Sequence, residues 1–327
     1  MPPVDRNQPV RAKSSDSRIS FMEFQQEYPN DAACLEWLWR TRYSEDGENA
    51  VCPKCQRERR FKKYDNANRR TSWTCTACGH HVQPTAGTIF HKSSTSLQLW
   101  FYAIYLMSST RCGISAKQLE REIGVNYKTA HRMLRLIRTE LMAQDYQGPL
   151  SGVVEADETA IGGKPRMAHS RIQRDEGIEP YSQASRAWHA ARKQTVFAMV
   201  ERAGQVHAQV VPDSRRETLR PKLRERIVPG SVVYTDEHQS YLSLNRDGYR
   251  HDTVPHGQKI YVRGDVHTNT VEGFFALLKN GILGTYHSVS PQRLDSYVNE
   301  YVWRYNHRDD DEAQFRTLLR NAASDLN

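Results

Sequence analysis

Two short apolar segments of this chain each contain an aspartate, and this combination restricts the possible folds more than any other feature. The segments are VVEAD (153–157), with Asp157, and SVVYTD (231–236), with Asp236. Their valine-rich composition predicts buried β-strands, where an unpaired carboxylate is unfavourable. We therefore expect an α/β domain in which adjacent parallel strands bring the two carboxylates together at one end of the sheet.

A third acid, Glu272, lies in HTNTVEGFFALLKNG (267–281), which has helical periodicity. The predicted buried stripe of this helix contains Val271, Phe274, Phe275, Leu278 and Ile282. An adjoining stripe, at steps of three and four residues, contains Asn269, Glu272, Ala276 and Lys279. Carboxylates from three segments predict a shared hard cation, Mg²⁺ or Mn²⁺, with Lys279 next to a substrate phosphate.

Each acid also has a simpler explanation. Asp157 could end or cap its strand, Asp236 could cap the following turn, and Glu272 could interact with the helix dipole. Strand side chains alternate, so Glu155 shares the face of Asp157 and Glu158 points to the opposite face. The joint pattern of three acids favours a metal site over three separate structural roles.

Four of the six cysteines form two pairs, Cys52 with Cys55 and Cys75 with Cys78, separated by 19 intervening residues. Four thiolates at this spacing fit tetrahedral Zn²⁺, and an iron centre with four cysteine ligands would use the same geometry. Since the protein supplies all four ligands, the site is closed and structural. We predict a zinc ribbon over residues 50–92 and, without a secretory leader, no disulfide framework.

Residues 114–142 have the pattern of a helix-turn-helix, with the turn at Gly124-Val125-Asn126. Its apolar positions are Leu119, Ile123, Ala130, Met133, Leu134 and Ile137. The second helix is expected to contact DNA through Lys128, His131, Arg132 and Arg135. An ordinary helical hairpin is the alternative, because patterns of this length also arise by chance.

The charge distribution favours a polyanionic partner. Lys and Arg number 46 against 38 Asp and Glu, a formal charge of +8. Residues 54–70 contain eight basic and two acidic residues, and residues 164–193 contain seven and three. Both stretches flank other nucleic-acid motifs, which favours contacts to a phosphate backbone over an ordinary solvated surface. No apolar run reaches the length of a membrane span, so we expect a cytoplasmic, nucleoid-associated protein.

The chain is therefore divided into six segments. They are a disordered leader (1–20), a helical segment (21–49), the zinc ribbon (50–92), a helical DNA-binding segment with the helix-turn-helix (93–146), a catalytic domain (150–308) and a tail (309–327).

Four motifs, taken in this order, resemble a known family. They are ADETAIGG (156–163), VVYTDEHQSY (232–241), HTNTVEGFFALLKNGILGTYHSVSP (267–291) and YVWRYNHR (301–308). The chain resembles bacterial insertion-sequence transposases with a DDE catalytic domain, the ISXO-like group related to the Merlin DNA transposons. The resemblance covers about residues 21–308.

The resemblance implies an RNase H-like mixed sheet flanked by helices, with Asp157 and Asp236 as ligands of two Mg²⁺ ions. The 35 residues between Asp236 and Glu272 are a spacing typical of DDE enzymes, and they favour Glu272 as the third ligand. Because members of this group can carry Asn followed by Lys in the third position, Asn269 is a rival or auxiliary ligand. Lys279 would contact DNA phosphate.

The implied activity is cleavage at the inverted-repeat ends of the element, followed by joining of the 3′-hydroxyl ends to target DNA. Pairing two ends implies a homodimer or larger assembly on DNA. Two alternatives remain open: a nuclease or resolvase of the same fold that cuts without joining, and a non-catalytic DNA-binding regulator built from the ribbon and the helix-turn-helix.

Overall fold

The computed structural model describes residues 19–65, 71–143, 148–162, 175–179, 182, 193–258, 260, 262–310 and 312–325. The predicted leader up to residue 18 and most of the basic stretch 164–193 lie outside these residues. The chain divides into two compact units, one of Met1–Met142 with Asp309–Asn327 and the other of Ala143–Arg308. Within the described ranges, no helix combines the length and apolarity needed to cross a membrane.

The first unit begins with two helices, α1 (Phe21–Glu27) and α2 (Asp31–Arg42), within the segment 21–49 that was predicted to be helical. Residues 28–30 separate the two helices. Asn30 is the N-cap of α2, since its side chain accepts a hydrogen bond from the backbone N–H of Ala33 at 3.0 Å. The intervening proline disfavours helical backbone in the residue before it. Asp31 is the first residue of the helix.

A four-stranded antiparallel sheet follows, with its strands in sequence order. The strands are β1 (Asn49–Val51), β2 (Glu58–Asp65), β3 (Thr71–Cys75) and β4 (His81–Val82). Aromatic rings fill the small core under the sheet: Trp39 of α2 stacks on Trp73 with ring centroids 4.9 Å apart, and Phe61 packs beside them. The strands β1 and β4, with three and two residues, bury little apolar surface of their own.

Three further helices complete this part of the first unit: α3 (Leu97–Ser109), α4 (Ala116–Ile123) and α5 (Tyr127–Leu136). Gly124 ends α4 in the left-handed conformation with φ +67°, and Asn126 caps α5 by accepting from the N–H of Thr129 at 2.9 Å. The six apolar positions predicted for this helix pair are all buried. Residues 116–136 therefore contain two helices joined by a turn at Gly124.

The second unit contains a five-stranded sheet in the order β7-β6-β5-β8-β9. Its strands are β5 (Val153–Ile161), β6 (Gln194–Glu201), β7 (Val206–Val211), β8 (Val232–Asp236) and β9 (Arg250–Val254). The β5–β6 and β6–β7 pairs are antiparallel, whereas β5–β8 and β8–β9 are parallel. A turn at Ala203-Gly204 joins β6 to β7, with Ala203 at φ +56°.

Helices cover both faces of this mixed sheet. The helix α6 (Arg216–Arg226) packs on the face that contains Val154 and Ala156. Helices α7 (Asn269–Gly281) and α8 (Leu294–Asn306) pack on the opposite face, and a small hairpin of β10 (Val262–Arg263) and β11 (Val266–His267) precedes α7. The prediction of a mixed α/β sheet flanked by helices is confirmed.

The chain then returns to the first unit. Residues 309–327 were expected to be a polar tail, but they contain the helix α9 (Gln314–Ala323). Phe315, Leu318 and Leu319 are buried on one side of it, and the ring of Phe315 contacts that of Phe24 at a centroid distance of 5.7 Å. Their spacing is that of an amphipathic helix, which a mainly polar composition conceals.

Candidate active site

The two aspartates lie side by side on neighbouring parallel strands. The β5–β8 register pairs Val153 with Val232 and Glu155 with Tyr234. Extending this register by two residues puts Asp157 opposite Asp236, the last residue of β8. Adjacent strands are about 4.8 Å apart, so the two side chains, on the same face of the sheet, are neighbours. The carboxylate of Asp236 also accepts a hydrogen bond from the N–H of His238 at 2.9 Å.

The helix α7 presents the third acid to the same region. Its predicted apolar stripe is buried, and Glu272 is exposed at its first turn, where the hydroxyl of Thr268 donates to the Glu272 carboxylate at 3.2 Å. Asn269, the first residue of α7, is also exposed. Lys279 lies near the end of α7, with its Nζ 6.0 Å from the ring centroid of Phe275. A carboxylate, an amide and an ammonium group therefore lie along one edge of this helix.

Like charges crowd around Asp157. Burial raises the pKa of Asp157 to about 7, the carboxylates of Asp236, Glu158 and Glu272 add to this rise, and a hydrogen bond from the N–H of Glu158 opposes it. Such an excess of negative charge on hard oxygen donors is suited to a divalent cation of the Mg²⁺ or Mn²⁺ type. The donor set fits the predicted metal.

We predict that Asp157→Asn stabilises the second unit when no divalent cation is added. An aspartate with a pKa near 7 in the folded state, against 3.8 as the ordinary value, binds its proton more tightly when folded. Stability is therefore lost as pH rises from about 4 to 7, and the amide should avoid a loss on the order of 1–3 kcal/mol at about pH 8.

Hydrogen exchange of peptides from β5 and β8, compared between variant and wild type at each pH, measures this gain. The exposed Asp265 supplies the matched control, since Asp265→Asn removes one carboxylate outside the sheet. A gain that does not diminish as pH falls toward 4 would contradict the assignment of the loss to Asp157.

Glu158 points to the other face of the sheet, as alternation predicted. Its carboxylate accepts a hydrogen bond from the buried hydroxyl of Tyr241 and lies 3.7 Å from Nδ1 of His238. Burial raises the pKa of Glu158, the hydrogen bond from Tyr241 and the neighbouring imidazole of His238 lower it, and the carboxylate of Asp236 raises it. Glu158 therefore adds negative charge beside the aspartates.

Glu155 lies beside the candidate site, and its hydrogen-bond partners were not predicted from the sequence. It is fully buried on β5, on the face of Asp157, and it accepts hydrogen bonds from Arg202 and from the start of α7. The available indication was a third acid within one apolar strand. Its partners could not be inferred from spacing, because they lie on distant segments.

The four cysteines converge in the first unit. The Sγ atoms of Cys52, Cys55, Cys75 and Cys78 all lie within 4.8 Å of one another. Cys52 and Cys75 are buried and the other two are half-buried. In the part of the chain that the structure describes, the four cysteines are the group of metal-ligating side chains whose ligand atoms lie this close together. The carboxylates of Asp157, Asp236 and Glu272 do not form such a group. The thiolate set fits a tetrahedral metal ion.

The helix α5 exposes the basic residues predicted to contact DNA. Lys128, Arg132 and Arg135 are exposed and His131 is half-buried. Their spacing of three and four residues puts them on one side of the helix. Tyr127 is exposed at the start of the same helix.

Comparisons of the sequence find similar proteins. Residues 149–306 match the family model described as the ISXO2-like transposase domain. The chain is 31% identical over 278 residues to an uncharacterised protein in the transposable element ISH50 of Halobacterium salinarum, covering 83% of this chain and 90% of that protein. It is 29% identical over 101 residues to an uncharacterised transposase-like protein of Haemophilus influenzae, covering 31% of this chain and 80% of that protein.

Among solved structures, one similar chain belongs to the simian T-cell lymphotropic virus intasome in complex with PP2A regulatory subunit B56 gamma. It is 17% identical, with 66% of this chain and 74% of that chain covered and a TM-score of 0.32, which is too low to establish a shared fold. The match over the second unit and the extended similarity to the ISH50 protein identify the family. The chain belongs to the insertion-sequence transposases with an ISXO2-like transposase domain.

Proposed function

We propose that the protein is a DNA transposase that binds the ends of its insertion sequence, hydrolyses phosphodiester bonds there and joins the resulting 3′-hydroxyl ends to target DNA. The observation that carries this proposal is the register of β5 and β8, with Asp157 opposite Asp236 inside the matched transposase domain. The second unit would be an RNase H-like catalytic domain, and its mixed sheet flanked by helices supports that assignment.

Asp157, Asp236 and Glu272 would hold the divalent cations in this site. Bound Mg²⁺ or Mn²⁺, in a two-ion site, would supply Lewis acidity for in-line displacement at phosphorus. The ammonium group of Lys279 would bind a phosphate oxygen and stabilise the negative charge that develops there. Asn269 can contribute an amide oxygen beside Glu272, because both are exposed at the first turn of α7.

The first unit would bind the element ends. Its cysteine group would hold Zn²⁺ in a ribbon, and α4 and α5 would act as a helix-turn-helix with α5 in the major groove. Support comes from the exposed basic side of α5 and from β2, which exposes Arg60, Lys62 and Tyr64 on one side of its sheet. Basic groups beside an aromatic ring suit contacts to a phosphate backbone and sugars.

Strand transfer tests this proposal against its two alternatives. The full chain is incubated with Mg²⁺, a DNA duplex of the element end that already carries a free 3′-hydroxyl, and a supercoiled target plasmid. We expect joined product. Cutting of an intact end without any joining would indicate the nuclease or resolvase, and binding without either reaction would indicate the regulator.

We predict that Arg132→Ala combined with Arg135→Ala weakens binding of element-end DNA about tenfold or more, because each arginine at the DNA surface contributes roughly 1 kcal/mol. The slope of log affinity against log salt should also become shallower by about 1 for each phosphate that an arginine no longer neutralises. Fluorescence anisotropy over a range of salt concentrations measures both quantities.

The matched control removes two exposed arginines of the same unit that lie outside the predicted helix-turn-helix, Arg40 and Arg111. This control carries the same charge change. Equal losses of affinity in the two double variants would show that net charge, and not the face of α5, determines binding.

A further inference from the structure

The carboxylate of Glu155 is buried with no exposed surface and has donors on both of its oxygens. Oε1 accepts from Nε of Arg202 at 2.6 Å and from the hydroxyl of Thr270 at 2.8 Å. Oε2 accepts from the backbone N–H groups of Thr270 at 2.7 Å and of Val271 at 3.2 Å. Nδ1 of His267 lies 3.2 Å from Oε1. Because these donors occupy both oxygens, Glu155 is not available as a metal ligand.

The two backbone donors belong to the first turn of α7. N–H groups at a helix start have no partner within the helix and carry the positive end of the helix dipole. An adjacent residue usually satisfies them, but here the acceptor comes from a strand 115 residues earlier in the chain. The buried charge of Glu155 is thereby compensated, and α7 is attached to β5 at a defined point.

Arg202 extends this attachment to the segment that leads into α7. Its guanidinium donates to the carbonyl oxygens of Asp265 at 2.9 Å and His267 at 3.2 Å, and it lies 4.9 Å from the ring centroid of Tyr234 on β8. The same arginine ion-pairs with Glu155. One network thus joins β5, β8, the hairpin before α7 and α7 itself.

We propose that Glu155 is a positioning residue that sets where α7 lies along β5 and so sets the position of Glu272 relative to the two aspartates. Glu155 precedes Asp157 by two residues on the strand, and Thr270 precedes Glu272 by two residues on the helix. The contact between Glu155 and Thr270 therefore constrains how far the carboxylate of Glu272 lies from that of Asp157. This inference rests on the proposed function, because it assigns Glu155 a role in assembling that metal site.

Glu155→Gln retains the size of the side chain but removes its charge. The NH₂ group of the new amide would face the hydrogen-bond donors of Arg202, Thr270 and Val271 and could not accept from them. We expect the dissociation constant for Mn²⁺ to rise about tenfold or more, since loss of residues that orient metal ligands weakens affinity by about 10–100-fold. The measurement is the free Mn²⁺ signal in electron paramagnetic resonance, recorded on the zinc-loaded full chain without DNA. The Mg²⁺ concentration for half-maximal cleavage should rise in parallel.

Glu300 provides the matched control. It is also fully buried, ion-pairs with Arg304 at 3.0 Å and accepts a hydrogen bond from the hydroxyl of Tyr286 at 2.9 Å. All three residues follow α7 in the chain. Glu300→Gln should perturb packing and leave Mn²⁺ affinity unchanged. If Glu155→Gln does not fold, Thr270→Val keeps the carboxylate and removes one of its donors, and it should weaken Mn²⁺ binding by a smaller factor.

Unchanged Mn²⁺ affinity in both Glu155→Gln and Thr270→Val would overturn the inference, and so would an equal loss in Glu300→Gln. If the wild type binds Mn²⁺ but neither cuts nor joins DNA, the proposed function fails instead. A selective loss of affinity in Glu155→Gln, in a wild-type background that cuts, supports both.

Discussion

Asp157→Asn is expected to lower the rate of element-end cleavage by roughly three to four orders of magnitude, because removal of a metal ligand removes several kcal/mol of transition-state stabilisation. The amide keeps the size of the side chain and loses its charge. Asp157 lies opposite Asp236 on the adjacent parallel strand, and replacing one of the two carboxylates by a neutral amide weakens the attraction of the pair for a divalent cation. Affinity for the DNA end, measured by anisotropy, should not fall.

Gel analysis of labelled end duplexes under single-turnover conditions measures this loss. Asp236→Asn should behave in the same way, whereas Asp265→Asn, an exposed carboxylate of the same unit, should cut at the wild-type rate. Mg²⁺-dependent cutting at an undiminished rate by Asp157→Asn would refute the site and would favour the regulator.

The same cleavage assay distinguishes the two candidates for the third metal ligand. Glu272 and Asn269 are both exposed at the first turn of α7, so position alone does not distinguish them. Their charges do distinguish them, because the carboxylates of Asp236 and Glu272 both raise the pKa of Asp157 and the neutral amide of Asn269 would not. Glu272→Gln should therefore lose most cleavage activity and Asn269→Ala should lose much less.

Local patterns in the sequence were sufficient for most of the sheet and its helices. The valine-rich strands with Asp157 and Asp236, the hairpin at Ala203-Gly204 and the buried stripe of α7 all follow from hydrophobic periodicity and turn chemistry. The juxtaposition of the two aspartates followed from one further rule, that the strands are adjacent and parallel. These features depend on residues close together in the chain.

Features that depend on distant partners were not predicted. Glu155 is stabilised by Arg202 and Thr270, which lie 47 and 115 residues away, and no spacing rule connects them. The helix α9 was missed because its apolar residues are few and pack on α3, which precedes it by about two hundred residues. The sequence indicates which residues are costly to bury, and the tertiary structure determines how each is compensated.

Replacing Cys52 and Cys75 by serine is expected to unfold the four-stranded sheet of the first unit. The strands β1 and β4 have three and two residues, too few to hold a sheet without another constraint. Zinc-finger peptides obtain on the order of 10–16 kcal/mol from metal binding, which is their folding free energy. We therefore expect the wild type to carry one Zn²⁺ per chain and the double variant to carry none, as measured by plasma mass spectrometry.

The stacked rings of Trp39 and Trp73 provide a direct structural readout, since their centroids are 4.9 Å apart only while α2 lies on the ribbon sheet. Loss of the metal should change tryptophan fluorescence and abolish hydrogen-exchange protection in β2 and β3, with peptides of β5 as the internal reference. Cys112→Ser, a half-buried cysteine outside the group, should retain both metal and protection. Iron in place of zinc would identify the other four-thiolate centre, and full protection in the metal-free double variant would show that the aromatic core folds the ribbon by itself.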